Sequence, residues 1–375
     1  MSWDITGLGA VASVGTDPGE IFDALCAGRT GLAKLRAFDL SRYRAHYAYE
    51  IDDRPGPGHD EPLRATRWLL TAVEQALAEA EPVPGPRIAV LVGTTLREQR
   101  SVELWWRGDS DIDQDRLHFG PALAQRFGFE HTYTFANACA AGLYALGMAA
   151  DLLDGGLADA VVVAGTDSVT ESAFGTLDRV QNRVPEALRP FDRARAGMLM
   201  GEGAAAVVLR PSGERPALAR LRAVSMNCDA HHPTAPDRHS IAAAMREAHE
   251  RAGLGPGDVD VVMLHGSGTE LNDAAEAAAL GAVFGPHQSR PLLTAVKSAT
   301  GHTLGGSGLL SLVTAVHALR RGVVPPIAGL SDPIDELRDM RPVRDRAAPA
   351  PLRTAQVNAF GFGGINAVAV LESAR

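Results

Sequence analysis

NACAAGLYALGMAADLLDGGLADAVVVAGTD, Asn137 to Asp167, sets an apolar helical pattern directly against a run of strand-forming residues. From Ala140 to Leu153 nearly every face is apolar or small, the pattern of a helix buried within a core rather than lying on one. ADAVVVAGTD, Ala158 to Asp167, is a continuous apolar run bounded by turn residues, which reads as a strand covered on both faces. Similar runs recur in WDITGLGA at the start, RIAVLVGTT (Arg87 to Thr95), GAAAVVLRP (Gly203 to Pro211) and VDVVMLHGSG (Val259 to Gly268). Between them lie the helical patterns GEIFDALCAGRTG, PLRATRWLLTAVEQALAEA and RHSIAAAMREAHERAGLG. The alternation predicts an α/β protein on a largely buried, at least partly parallel sheet.

The 375 residues exceed one ordinary core, so two packed halves of one domain over 1–375 are expected. PSGERP, Pro211 to Pro216, is the expected joint between 1–211 and 212–375. The 36 basic residues are scattered among 45 acidic ones, for a net charge of −9, which excludes nucleic acid as an ordinary partner. The opening residues lack a basic stretch followed by an apolar core, and no apolar run reaches bilayer length; neither export nor a membrane span is expected. Cys26, Cys139 and Cys228 show neither C-x-x-C nor Cys/His ligand spacing. That argues against a disulfide framework and a metal site, and for a reducing cytoplasmic setting.

Cys139 opens the buried helical pattern. A lone cysteine in such a segment ordinarily behaves as a small hydrophobe, whereas the positive end of a helix stabilises a thiolate; the residues alone leave both open. His265, in LHGSGTELND, closes an apolar strand, and His302, in VKSATGHTLGGSG, precedes a second buried helical run. Strand ends are where α/β proteins place their sites. His231, His232, His239, His249 and His317 read as loop or polar-helix-face residues. Lys297 is an ammonium in an otherwise uncharged stretch, which costs free energy unless it is paired or exposed. NAFGFGGIN, Asn358 to Asn366, permits a tight turn with inward N–H groups, half of an oxyanion hole or simply a turn.

Taken together, ITGLGAVASVG, LCAGRTGL, NACAAG, RPFDRARAGMLMGEGAAAVVL, HGSGTELND, KSATGHTLGGSG and NAFGFGGIN resemble, in order, the β-ketoacyl synthases, specifically their elongating two-histidine ketosynthases. The resemblance spans nearly the whole chain. It implies the thiolase fold, two similar βαβ-type halves forming a layered αβαβα core. It also implies decarboxylative condensation of an acyl-cysteine with a malonyl-type thioester on acyl carrier protein, extending a fatty acyl or polyketide chain by two carbons. Cys139 would be the nucleophile, His265 and His302 the other members of a Cys-His-His triad, and Lys297 the supporting lysine. Backbone N–H groups of Cys139 and Phe362 would form the oxyanion hole. Ser267 and Thr269 would hold the phosphopantetheine arm, with Asp273 and Glu276 as supporting carboxylates. No cofactor or metal is implied beyond the carrier-borne arm, and the assembly implied is a homodimer or a heterodimer with a chain-length-factor-like homologue.

Several positions depart from that pattern. Ser311 stands where the family commonly has a glutamate pairing with the motif lysine, Ser267 replaces a usual threonine, and Asn137 a small or hydroxyl residue. LWWRGDSDIDQDRLHFG, Leu104 to Gly120, diverges too, and its Trp105 and Trp106 are expected at the acyl pocket or a partner interface. These departures favour a specialised polyketide or polyene system, and they keep two alternatives in view: a non-decarboxylating acyltransferase using the same cysteine, and a mainly structural subunit.

Overall fold

A computed structural model of the chain describes residues 2–80, 87–213 and 216–374. The first half contributes β1 (Trp3–Ala12), β2 (Ile88–Gly93), β3 (His131–Phe135), β4 (Ala160–Asp167) and β5 (Gly203–Pro211). The second contributes β6 (Ala219–Cys228), β7 (Val261–Met263), β8 (Leu292–Thr294), β9 (Thr354–Gly361) and β10 (Ile365–Ser373). Among the described residues these join in the order β8-β7-β9-β10-β6-β1-β5-β4-β2-β3, with Arg341–Pro342 beside β8.

Outward from the centre, each half therefore runs through its first, fifth, fourth, second and third strands. Pairings of the first with the fifth and the fifth with the fourth are antiparallel in both halves, and the remaining two are parallel. The repeats meet where Trp3–Ile5 pairs antiparallel with Ala219–Leu221. Of the expected joint, Glu214 and Arg215 lie outside the described residues.

Helices α1 (Arg64–Glu79), α2 (Ala141–Asp154), α3 (Arg238–Ala252), α4 (Glu270–Phe284) and α5 (Ser307–Arg321) complete the layers. α2 and α5 each lead from the third strand of a half towards its fourth, and they pack on each other and on both halves of the sheet. Their composition requires such a place: every residue from Ser307 to Val316 is buried, and leucine, valine and alanine on all faces leave no side to present to water. α1 covers the outer face of the first half, and α3 with α4 covers the second. The result is the αβαβα layering that the resemblance implies. Small residues bring the two central helices close at their N-termini, where a side chain on Gly142 would meet the Gly305 carbonyl at 2.8 Å.

Two local readings are corrected. VDVVMLHGSG stays in the sheet only for Val261–Met263; Gly266 and Gly268 take φ of 48° and 74°, and the chain leaves as a loop. His249 does not lie on a polar helix face. It shares the inner stripe of α3 with Ile241, Met245 and Ala252 and is 4% exposed.

Candidate active site

Cys139 lies in a single 3-10 turn, Ala138–Ala140, that opens α2, and an equivalent turn, Leu304–Gly306, opens α5. Ala138 and Leu304 both adopt left-handed backbone, with φ of 56° and 46°. The repeated topology thus sets Cys139 and Gly305 at matching positions, with His302 just before the second turn. Cys139 is buried in an apolar cluster that includes Leu35, Phe38, Val169, Phe174, Met200 and Leu304. It also lines a narrow cleft together with His265, His302, Ser267, Thr269 and Phe362. Burial pushes the thiol up to about 11, opposed by the Lys297 charge and by the backbone N–H groups of Cys139 and Phe362 directed at it. At neutral pH it therefore keeps its proton.

The histidines are placed by the second half. His265 follows β7, and its Nδ1 accepts the Phe360 N–H at 3.2 Å. His302 Nδ1 accepts the Leu304 N–H at 3.1 Å. With each Nδ1 an acceptor, the proton of each neutral ring is on Nε2. The ring centroids are 5.4 Å apart, and His302 Nε2 is buried without a hydrogen-bond partner among the described residues. Burial first, and the Lys297 charge second, hold both rings well below the ordinary histidine value, so both are neutral at physiological pH.

Lys297 Nζ donates to the His265 carbonyl at 2.6 Å and lies 3.4 Å from its Nδ1. Burial lowers the lysine to about 8, while Glu276, Cys139 and Asp273 favour its charge through space. Among the described residues it makes no ion-pair contact with a carboxylate. Ser311, where a glutamate was expected, is buried on α5. Glu276 accepts from the His265 and Gly266 N–H groups at 2.8 and 2.9 Å and from Asn358 Nδ2 at 2.9 Å. Asp273 accepts from the Phe191 N–H at 2.7 Å and the Gly268 N–H at 3.2 Å, and burial raises it to about 7. The two carboxylates thus pin the His265–Gly268 loop. Ser267 and Thr269 hydroxyls lie 2.9 Å apart on the cleft wall.

The turn after β9 completes the enclosure. Phe362 is half-exposed at the mouth, Gly363 N–H donates to the Pro233 carbonyl at 2.7 Å, and Gly364 O accepts the Asp229 N–H at 2.9 Å. A side chain on Gly361 would come within 3.2 Å of the Cys139 nitrogen, so this turn lies directly on the turn that carries Cys139.

The family model for the N-terminal domain of β-ketoacyl synthases matches residues 4–214, and that for the C-terminal domain matches 218–331. The chain belongs to the β-ketoacyl synthase family. It is 33% identical to a putative polyketide β-ketoacyl synthase 1 of Streptomyces halstedii, covering 98% of this chain and 97% of that one. It is 30% identical to 3-oxoacyl-[acyl-carrier-protein] synthase 2 of Coxiella burnetii over the same shares. Among solved structures, the ishigamide ketosynthase/chain length factor superimposes with a TM-score of 0.88 at 31% identity, covering 99% of each chain. The fold is thus that of the thiolase-fold ketosynthases.

Within this synthase fold all nine residues singled out from the sequence converge on the cleft or the loops behind it. Trp105 and Trp106 do not: they lie on the helix Gln99–Arg107, 49% and 81% exposed, and Trp106 lines a separate groove with Tyr43. Two contributors were missed. Asp167, at the end of β4, accepts from Thr94 Oγ1, Thr95 N, Leu96 N and Gly305 N, tying both repeats together beneath Cys139. Its signal was a carboxylate closing an apolar strand. The segment from Asp229 to Pro236 supplies His232 and Thr234 to the cleft wall, and nothing in its loop-like composition pointed there. No helix among the described residues is long and apolar enough to cross a membrane.

Proposed function

We propose that this protein carries out decarboxylative Claisen condensation, joining an acyl group held on Cys139 to a malonyl-type thioester on an acyl carrier protein. The observation that carries this reading is the pair of neutral histidines. Each is capped at Nδ1 by a backbone N–H, so both Nε2 protons remain for an oxygen in the cleft that contains Cys139.

In the first stage Cys139 Sγ attacks the acyl thioester carbonyl. The developing oxyanion is met by the N–H groups of Cys139 and Phe362, the bond to pantetheine sulfur breaks, and the thiol proton leaves with that sulfur. In the second stage the malonyl carbon–carboxylate bond breaks and carbon dioxide departs. The electron pair passes to an enolate whose oxygen accepts from His265 and His302 Nε2–H. Neutral donors suit this step, since a carboxylate there would repel the enolate. The enolate carbon then attacks the acyl-cysteine carbonyl, the C–S bond breaks, and Cys139 takes up a proton. Lys297 supplies positive charge beside both the thiol and the His265 carbonyl.

Both substrates arrive on phosphopantetheine, held by Ser267 and Thr269, and the scheme needs no cofactor or metal of the protein's own. Arg195 donates to the Glu270 carbonyl next to Thr269 and brings positive charge to that rim, suited to an acidic carrier protein. β3 is the open edge of the sheet, with Tyr133 52% exposed, and suits a subunit contact. The ishigamide relative pairs a ketosynthase with a chain length factor, and either such a heterodimer or a homodimer fits. The free, buried Cys139 suits a cytoplasmic, reducing setting.

Intact-mass analysis with acyl- and malonyl-carrier protein tests the reading. Acyl-Cys139, carbon dioxide release and a ketoacyl product extended by two carbons are expected. Acylation without carbon dioxide release would make it an acyltransferase instead, and no acylation of Cys139 would make it a supporting subunit.

A further inference from the structure

β9 presents Gln356, Asn358 and Phe360 on one side, as alternate residues of a strand do, towards α3, α4 and His265. Phe360 and Asn358 serve His265 directly, through its Nδ1 and through Glu276. Gln356 and His249 extend the line by two further buried side chains that the condensation scheme does not use. Gln356 Nε2 donates to Asn358 Oδ1 at 2.7 Å, and His249 Nε2 lies 2.7 Å from Gln356 Oε1.

The direction of this line follows from its inner end. Glu276 accepts from two peptide N–H groups, so Asn358 must face it with its NH2. Asn358 Oδ1 then faces Gln356, which must donate its NH2, and Gln356 Oε1 is left to accept from His249 Nε2–H. One tautomer of one histidine thereby sets the orientation of both amides. Every partner of Glu276 in this set is a donor, so a protonated Glu276 would forfeit a hydrogen bond, which opposes the tendency of burial to protonate it. An ionised Glu276 gives Lys297 its counter-charge without touching it. The His265 peptide is meanwhile held at its nitrogen by Glu276 and at its oxygen by Lys297.

We propose that His249 and Gln356 are positioning residues: they fix the Asn358 amide as a donor to Glu276, and through Glu276 they hold His265 in place and maintain the through-space counter-charge of Lys297. This rests on the condensation reading for its consequence in turnover, but not for its geometry. The charged and titratable groups facing this line are Glu276, Asp273, Lys297 and His265, and the Cys139 thiol responds to Lys297 and Asp167.

The test compares the full chain with its His249→Leu, Gln356→Leu and His249→Gln variants in two assays. One is malonyl-carrier decarboxylation measured against Cys139 acylation. The other is the pH dependence of Cys139 alkylation by iodoacetamide, which needs no substrate. In the leucine variants decarboxylation kcat is expected to fall roughly tenfold to a hundredfold, with acylation and KM little changed. Alkylation at pH 8 is expected to slow roughly threefold to tenfold as Lys297 loses its counter-charge. His249→Gln, which can still donate to Gln356 Oε1, should restore both. Native alkylation curves and a native ratio of decarboxylation to acylation in folded leucine variants would overturn the proposal, as would His249→Gln behaving like His249→Leu. If the leucine variants do not fold, His249→Gln against His249→Met makes the same comparison. A native protein that neither acylates nor decarboxylates would sink the condensation reading alone, and the alkylation curves would still decide the positioning role.

Discussion

Lys297→Met removes a buried cation that the fold holds at a cost. The lysine is 2% exposed, and burial lowers it from 10.5 to about 8, so below that pH the folded protein carries a charge that the unfolded chain hydrates more readily. The interval corresponds to roughly 3 kcal/mol of native stability forgone while the lysine is protonated. Between about 8 and 10.5 the unfolded chain binds this proton and the folded protein does not, so the lysine's contribution to stability rises with pH across that window. Methionine has no such dependence. It also loses the hydrogen bond to the His265 carbonyl, a penalty that does not vary with pH. Unfolding free energies of the native protein and Lys297→Met from denaturant titrations between pH 7 and 10 should therefore differ by an amount that moves by about 2.5 kcal/mol, the variant being relatively more stable at pH 7. Condensation should be lost at every pH. A stability difference independent of pH would refute the reasoning, because Lys297 would then be no more costly to charge in the fold than in water.

Further outcomes follow from the same geometry. Decarboxylation by the native protein should show no acidic limb near pH 6.5 that comes from the histidines, because both titrate well below that value; burial raises Asp273 to about 7 and Asp167 to about 6, and a limb near 6.5 that survives in both Asp273→Asn and Asp167→Asn would contradict it. Asp167→Asn should destabilise the protein by about 2 kcal/mol or more and slow Cys139 acylation, since one acceptor oxygen becomes an amide nitrogen and leaves unmet either the Thr95 and Gly305 N–H groups or the Leu96 N–H and Thr94 hydroxyl; an unchanged melting temperature and acylation rate would count against it. At Gly364, φ is 75° and an added side chain would lie 1.9 Å from Asp229 Oδ1. Gly364→Ala should therefore lift the turn that carries Phe362 and slow acylation at least tenfold in a single-turnover assay. Cys139→Gln should release carbon dioxide from malonyl-carrier protein without condensing, and failure to do so would separate decarboxylation from the histidine pair.

Much of the site was legible because its chemistry needs unusual local sequence. A thiol at the start of an all-apolar helix, histidines framed by glycine and a Gly-rich terminal turn are each visible in short stretches. Long buried strands such as Val161–Ala164 were legible too, since burial on two faces leaves one apolar run. Contributions that depend on distant pairing were not. Asp167 matters because Gly305 and the segment Thr94–Leu96 reach it from elsewhere in the chain. His249 looked polar because the stripe it joins is interrupted by arginine and glutamate, and its contacts with Gln356 on β9 and with the Phe284 ring, both distant in sequence, explain its burial. β7 was read too long because the glycines that end it also look like an extended run.

The duplicated strand order has a consequence for how this catalyst can diversify. Cys139 and most of the apolar wall beside it are anchored in the first repeat, whereas His265, His302 and the Ser267 and Thr269 hydroxyls are anchored in the second. The repeats are laced together at the site: Asp167 holds Gly305, Asp273 holds Phe191, Gly197 bonds to Gly268, Leu199 and Gly201 pair with the His302 backbone, and the terminal turn lies on Cys139. A change that reshapes the apolar wall at Met200 is therefore transmitted to the His302 backbone paired with it, so selectivity for the acyl donor and for the extender is constrained to change together.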